Sequence, residues 1–163
     1  HLVFSTLHTN SSAGAFPRLI DLGINSKIMS SAINIVLAQR LVRRLCENCK
    51  KPIPIEGNLK TQIDKVIETI FDKNEIPPMP ENVFGPKGCE KCNQTGYKGR
   101  IGIYEGMKLT TEVNTAIDMN PSEKDLEKAS APQGILTMKQ DGIIKILKGI
   151  TSLEELERVI TIE

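Results

Sequence analysis

The four cysteines of this chain form two pairs, each with the spacing Cys-x-x-Cys: Cys46 with Cys49, and Cys89 with Cys92. This spacing lets two thiolates converge on one ion while backbone amides support the sulfur atoms, and two such pairs supply the four soft ligands of a tetrahedral zinc site. The alternatives are two disulfides or four buried thiols. Because no signal peptide directs the chain out of the cytoplasm, disulfides are disfavoured. With four protein ligands no position remains for water, so the sequence predicts a structural zinc ion.

The two histidines, His1 and His8, flank an apolar run at the start of the chain. Residues suited to cap a helix follow His8, so we expect it between the end of a strand and the start of a helix. Ligands of open α/β sheets bind at such strand ends, and helix N-termini attract anions, so His8 and the neighbouring hydroxyls are candidates for phosphate contact. A hydrogen-bonded structural histidine is the alternative. The arginines that could bind phosphate, or form a solvated basic face, are Arg18, Arg40, Arg43 and Arg44.

Composition excludes several classes of protein. The 163 residues include 21 Lys and Arg against 20 Asp and Glu, and a formal charge of +1 argues against a dedicated nucleic-acid binder. With 39% hydrophobic residues the chain can form a core. No apolar run reaches the roughly 20 residues needed to cross a bilayer. The chain opens on an apolar run without an initiator Met, so we expect a piece of a longer cytoplasmic protein.

Hydrophobic periodicity predicts a mixture of helices and strands. Before the first cysteine pair, the expected elements are a buried strand over 1–7, a helix over 13–22 that ends at Gly23, a second helix from Asn25 or Ser26, and a strand from about Leu37 to Cys46. After it, we expect an interruption of regular structure over 51–54, an amphipathic helix over 59–71, a polyproline-like connection over 76–80 and a strand over 101–109.

The last third is predicted to be helical, with a first helix over 111–119. Further helix starts are predicted from capping boxes, in which two side chains satisfy each other's free backbone donors. The predicted boxes are Thr137 with Gln140 and Thr151 with Glu154, and Ser122 with Asp125 is predicted to start a second helix.

Several sequence strings occur in an order that closely resembles the C-terminal part of the secretion-superfamily traffic ATPases, the hexameric motors of type II secretion and type IV pilus assembly. They are residues 1–10 (HLVFSTLHTN), 37–46 (LAQRLVRRLC), 96–105 (GYKGRIGIYE), the pair Asp141-Gly142 and the run Gly149-Ile150-Thr151. The resemblance covers nearly the whole chain apart from about 50–85, and the two cysteine pairs place it nearer the secretion and pilus-extension motors than the retraction motors.

The resemblance implies an α/β fold, the C-terminal portion of a RecA-like P-loop NTPase core with an inserted four-cysteine zinc subdomain and a C-terminal helical region. The implied divisions are core residues 1–45, a zinc subdomain over 46–92, a returning core strand within 93–109 and helices over 110–163. Residues 1–10 match the family's His box. His8 is its phosphate-sensing residue, with His1 as a second catalytic candidate, and the implied nucleotide contacts are Thr6, Thr9 and Arg40.

The resemblance also implies cofactors and partners. The implied cofactors are structural zinc and, in the full-length protein, ATP and Mg. The implied partners are further copies in a homo-hexamer and an inner-membrane secretion or pilus platform with cytoplasmic adaptors, and no nucleic acid. The implied location is cytoplasmic, peripheral to the inner membrane. The chain contains no Gly-x-x-x-x-Gly-Lys-Ser/Thr loop, so we expect it to be inactive as an ATPase by itself. The alternative hypothesis is a stand-alone zinc-ribbon adaptor that binds protein or nucleic acid.

Overall fold

A computed structural model describes residues 1–119 and 122–161, and these contain both helices and strands. The strands are β1 (Ile35–Leu45), β2 (Lys51–Pro54), β3 (Asn82–Gly85) and β4 (Tyr97–Lys108). The helices are α1 (Ala15–Asp21), α2 (Ser26–Ala32), α3 (Gly57–Glu68), α4 (Thr111–Asp118), α5 (Glu123–Ser130), α6 (Met138–Leu147) and α7 (Leu153–Val159). The predicted mixture of helix and strand is therefore confirmed. Four residues of the predicted helical region 110–163, at positions 120, 121, 162 and 163, lie outside the described part.

The chain divides into two compact units. The first unit comprises His1–Ala38 with Glu105–Ile135, and the second comprises Gln39–Tyr104 with Leu136–Glu163. The chain crosses between the units at three points, of which the first lies within β1, the second within β4 and the third between α5 and α6. None of the described helices is both long and apolar enough to cross a membrane.

Strands β1 and β4 pair with each other, and their flanking bonds give the direction of the pairing. The amide of Cys46 donates to the carbonyl of Gly96 (2.9 Å), whereas the amide of Leu109 donates to the carbonyl of Asn34 (3.1 Å). The end of one strand thus lies beside the start of the other, so the pair is antiparallel. This pairing brings the two cysteine pairs, 43 positions apart in sequence, to the same end of the ribbon.

Local sequence explains the helices of the first unit. Asn25 accepts a bond from the amide of Lys27 and so caps α2 as predicted. Pro17 is the third residue of α1, within the first turn, where its missing N–H has no helical acceptor to lose. Gly23 ends α1 with φ +83°, as expected for a residue that follows a helix. One cluster of buried apolar side chains in this unit consists of Ala13, Phe16, Met29, Met107, Val113, Ile117 and Leu126.

In the second unit, α6 is the central helix, and α3, α7 and β3 pack against it. Helix α3 buries Ile63 and Val66, which lie on one face as the predicted amphipathic pattern requires. Helices α6 and α7 approach closely at Gly142, where an added Cβ would lie 2.5 Å from Cδ1 of Leu156. The capping box predicted at Thr137 is present, and the helix start predicted at Ser122 is also confirmed, with a capping box of its own to Asp125.

Three predictions about local structure are wrong. Residues 1–7 form no strand, and Leu2, Val3 and Phe4 are 78%, 79% and 88% exposed, because none of the described strands pairs with this run. Residues 51–54 do not interrupt regular structure but form β2, which pairs antiparallel with β3. The last helix is capped by Ser152, which accepts from the amide of Glu155 (3.2 Å), one position later than the predicted Thr151 box.

Candidate metal centre

All four cysteines come together in the second unit, as their spacing predicts. Their sulfur atoms lie within 4.8 Å of one another, and among the described residues this is the group of His, Cys, Asp and Glu side chains placed to hold a metal ion. The Sγ–Sγ distances are 3.9 Å between Cys46 and Cys89, 3.8 Å between Cys49 and Cys92, and 3.7 Å between Cys89 and Cys92. Each pair therefore contacts the other.

These distances match tetrahedral coordination and do not match disulfides. Four sulfurs at the usual Zn–S length of about 2.3 Å occupy tetrahedron corners about 3.8 Å apart. A disulfide requires sulfur atoms about 2.05 Å apart. Three of the six Sγ–Sγ separations, at 3.7–3.9 Å, agree with the first value, all six lie within 4.8 Å, and all four cysteines are free thiols. The four sulfurs thus fit a single ion of tetrahedral preference.

Tight backbone turns aim the sulfurs inward. In the first pair the carbonyl of Cys46 accepts from the amides of Cys49 (3.1 Å) and Lys50 (2.9 Å). In the second pair the carbonyl of Cys89 accepts from the amides of Cys92 (3.1 Å) and Gln94 (2.9 Å). Each turn folds the chain back within four to six residues, so both cysteines of a pair present their side chains to the same point.

Gly96 closes the second turn and is required there for two reasons. Its φ is +76°, and an added Cβ would lie 2.4 Å from the Cβ of Pro86, so only glycine fits without displacement. Its amide also donates to Sγ of Cys92 (3.2 Å), as does the amide of Cys89 (3.2 Å). A sulfur that accepts two N–H bonds is suited to the thiolate form that metal coordination needs.

The thiols differ in their readiness to ionise. Burial opposes ionisation of Cys92, but the amides of Cys89 and Gly96, with the neighbouring thiols, lower its pKa to about 6. Burial raises the pKa of Cys49 to about 11, the amide of Gly88 opposes this, and the other thiols add to it. Hydrogen bonds thus favour the thiolate of Cys92, whereas burial disfavours the thiolate of Cys49. A divalent cation would stabilise all four thiolates together.

Hydrogen bonds that do not involve two sulfur atoms also join the two cysteine pairs. Lys91, which lies between the cysteines of the second pair in sequence, donates from Nζ to Oδ1 of Asn48 (3.0 Å), which lies between those of the first. The side-chain nitrogen Nδ2 of Asn48 donates to Sγ of Cys46 (4.0 Å). The bond of the Cys46 amide to Gly96 holds the two turns together on the other side.

The predicted nucleotide-side residues do not form a comparable cluster. His1, Thr6 and His8 are exposed, in a run without helix or strand. Thr9 is half-buried and donates to the carbonyl of Ser11 (3.0 Å). Arg40 is half-buried on β1, the strand on which it was expected. Their roles toward nucleotide stay predictions.

Arg43, one of the phosphate-binding candidates, instead forms an ion pair with the buried carboxylate of Glu155. Its guanidinium donates from Nε (2.8 Å) and Nη2 (2.6 Å) to Glu155, and its amide donates a third bond (2.9 Å). Glu155 is completely buried and also accepts two bonds from Arg158. Sequence reasoning missed Glu155, and the i, i+3 spacing of Glu155 and Arg158 was the available signal.

Comparison with known proteins gives the family. Residues 1–158 match the family described as Type II/IV secretion system protein. The chain is 42% identical over 160 residues to the type IV pilus assembly ATPase TfpB of Acinetobacter baylyi, covering 98% of this chain and 26% of that protein. It is 42% identical to type II secretion system protein E of Dickeya dadantii and 41% identical to type II secretion system ATPase E of Vibrio cholerae, in each case covering 98% of this chain and 29% of the relative.

The chain thus spans between a quarter and a third of the length of these relatives. The resemblance deduced from the sequence strings is confirmed, since the match covers the strings at both ends of the chain as well as the segment between the cysteine pairs. This chain belongs to the type II/IV secretion system protein family.

Proposed function

We propose that this chain is the C-terminal portion of a hexameric motor ATPase that couples ATP hydrolysis to pilus assembly or type II protein secretion. The observation that carries the proposal is the family match over residues 1–158, together with relatives named as ATPases of these two systems. In this proposal the motor is cytoplasmic and is held at the inner membrane by platform and adaptor proteins. The chain contributes the C-terminal part of a RecA-like core, a zinc subdomain over 46–92 and C-terminal helices.

The four cysteines hold a structural zinc ion in this proposal. Support comes from sulfur separations of 3.7–3.9 Å, from the two amides that stabilise the Cys92 sulfur, and from the soft, all-thiolate donor set. When bound, the ion cross-links the two turns and adds its binding free energy to the stability of the fold. The chain's own residues aim the sulfurs and neutralise part of their charge.

The ATP-dependent role is assigned to His8, with Thr6, Thr9, Arg40 and His1 as secondary candidates. Phosphoryl transfer to water requires backbone amides around the phosphates, a Mg ion and a positioned nucleophile. This chain lacks the phosphate-binding loop, so we expect the loop and the Mg site to come from residues that precede it in the full-length motor. His8 then reads the presence of the γ-phosphate, and its exposed imidazole is available for that contact.

The zinc assignment is tested by elemental analysis of protein purified without added metal. We expect about one zinc ion per chain, and no other metal in comparable amount. A folded, reduced protein without metal would contradict the zinc assignment. It would leave the motor assignment standing, because the family match does not depend on the metal.

The motor assignment is tested on the full-length protein that contains this chain, by comparing wild type, His8→Ala and the control Lys27→Ala on the exposed side of α2. We expect Mg-dependent ATP hydrolysis that falls at least about 100-fold in His8→Ala, with nucleotide affinity nearly unchanged, because a residue that reads the γ-phosphate acts after binding. The control should keep the wild-type rate. An unchanged rate in His8→Ala would show that the histidine is structural, and absence of any hydrolysis in the wild type would contradict the motor assignment.

A further inference from the structure

We infer that the cysteine centre and the connection between α6 and α7 form one cooperative unit, so that metal occupancy controls the docking of α7. The inference rests on the zinc site proposed above. The connection consists of residues 149–152, called here the 149–152 turn. Each of its four positions is held by a residue that lies within five positions of a cysteine in sequence.

Two of these contacts come from the first cysteine pair. Lys50 follows Cys49 directly, and its Nζ donates to the carbonyl of Gly149 (3.2 Å). Leu45 precedes Cys46 directly, and its amide donates to the carbonyl of Ile150 (2.9 Å). The residues on either side of the first pair thus both donate to carbonyls at the start of the turn. Any movement of that pair therefore displaces a donor on which the turn depends.

The other two contacts come from β1, which leads to the first cysteine pair, and from the start of β4, which follows the second. The hydroxyl of Thr151 donates to the carbonyl of Arg43 (2.9 Å). The hydroxyl of Tyr97 shares a hydrogen bond with Oγ of Ser152 (2.7 Å). Tyr97 follows Gly96, whose amide donates to the Cys92 sulfur. The end of the turn therefore depends on Arg43 of β1, which leads to the first cysteine pair, and on Tyr97 of β4, which follows the second.

Burial makes these bonds hard to replace. Thr151 and Ser152 are only 0% and 3% exposed, so water cannot substitute for a lost partner, and a buried hydroxyl without a partner is energetically unfavourable. Ser152 is also the cap of α7, since it accepts from the amide of Glu155 (3.2 Å). A shift of the strands that carry the cysteines is thus transmitted to the first turn of α7.

The first test compares hydrogen exchange in the zinc-loaded and chelator-stripped chain. We expect amides of the 149–152 turn and α7 to exchange about tenfold faster after stripping, a value within the usual range of coupling between sites. Amides of α4 in the first unit should keep their rates. Unchanged exchange in α7 would overturn the inference, as would equal acceleration in α4 and α7, which would indicate loss of the whole fold.

The second test uses reciprocity, because a turn that responds to the metal must also influence metal retention. Zinc transfer to a chromogenic chelator is measured for Ser152→Ala and for the milder Tyr97→Phe, which removes one hydroxyl. We expect transfer at least about fivefold faster than in wild type. The matched control is Lys148→Ala, an exposed position next to the turn, and it should release zinc at the wild-type rate. Wild-type rates in both test variants would overturn the inference.

Metal content distinguishes this inference from the proposal on which it rests. A purified chain that holds no zinc overturns both the zinc assignment and the coupling. A chain that holds zinc but passes neither the exchange test nor the transfer test overturns the coupling alone.

Discussion

Replacement of Glu155 by glutamine tests the ion pair through which this buried carboxylate joins α7 to β1. The carboxylate is completely buried and accepts bonds from the guanidinium groups of Arg43 and Arg158 and from the amide of Arg43. Glutamine has nearly the same shape but carries no charge, and its amide group would place N–H donors against guanidinium donors. Glu155→Gln therefore removes the ionic attraction and leaves two cations without a counterion.

The pKa of Glu155 gives the size of the effect. Burial would raise this pKa, but the bonds from Arg158 and Arg43 outweigh it and lower the pKa from 4.5 to about 2. Such a shift corresponds to about 3 kcal/mol of stability at neutral pH. The two guanidinium side chains are 41% and 57% exposed, and water screens part of the attraction, so we expect Glu155→Gln to lose about 2 kcal/mol.

The sign of the pH dependence follows from the direction of the shift. A carboxyl whose pKa is lowered on folding stabilises the protein above its unfolded value of 4.5, and this contribution disappears as the pH falls toward 2. The difference in unfolding free energy between wild type and Glu155→Gln should therefore be full at pH 7 and shrink as the pH falls from 4.5 to about 2. Any metal lost in acid affects both proteins, so it does not change the sign of the difference.

The assay is urea unfolding followed by circular dichroism at pH 7 and at a series of lower pH values. Glu154→Gln, at the exposed neighbouring position, is the control and should change stability by less than about 0.5 kcal/mol. Equal stability of wild type and Glu155→Gln at pH 7 would refute the reasoning. A difference that persists undiminished at pH 2 would also refute it, because the effect would then not depend on the charge.

Three further substitutions test the metal centre and the close helix contact. Cys46→Ser should reduce bound zinc from about one ion per chain to near zero by elemental analysis and lower the midpoint of thermal unfolding, because metal binding contributes to folding. Gly96→Ala should destabilise the chain by about 2 kcal/mol or more in urea, since its φ is +76° and the added Cβ meets Pro86 at 2.4 Å. Gly142→Ala should lose about 1–3 kcal/mol by the same measurement, because overpacking against Leu156 at 2.5 Å exceeds the gain of about 1 kcal/mol in helix propensity.

The sequence predicted those features that depend on short-range geometry. The Cys-x-x-Cys spacing determines a tight turn, so convergence of sulfurs within each pair is a local property. The caps at Asn25, Ser122 and Thr137 were predictable for the same reason, since each side chain bonds an amide two or three positions away. The cap at Ser152 was missed by one position because both Thr151 and Ser152 can cap a helix, and tertiary bonds determine which hydroxyl faces the helix start.

The features that sequence reasoning missed depend on distant partners. Arg43 and Glu155 are separated by 112 positions, and neither residue type nor spacing connects them. Strand β2 was missed because proline usually interrupts strands. Pro52 and Pro54 occupy alternate positions of a two-stranded sheet, so both missing N–H donors fall on the open edge of β2.

The 43-residue separation of the cysteine pairs has a consequence for chain entropy. A cross-link between Cys46 and Cys89 closes a loop, and the entropic cost of loop closure grows only logarithmically with length, by about 0.6 kcal/mol for each doubling. The connection between the pairs can therefore lengthen or shorten by many residues at little cost, provided that Ile63 and Val66 of α3 keep their buried places. Insertions and deletions in this region should thus accumulate more freely than in the β1–β4 ribbon, where a one-residue change moves every following side chain to the opposite face.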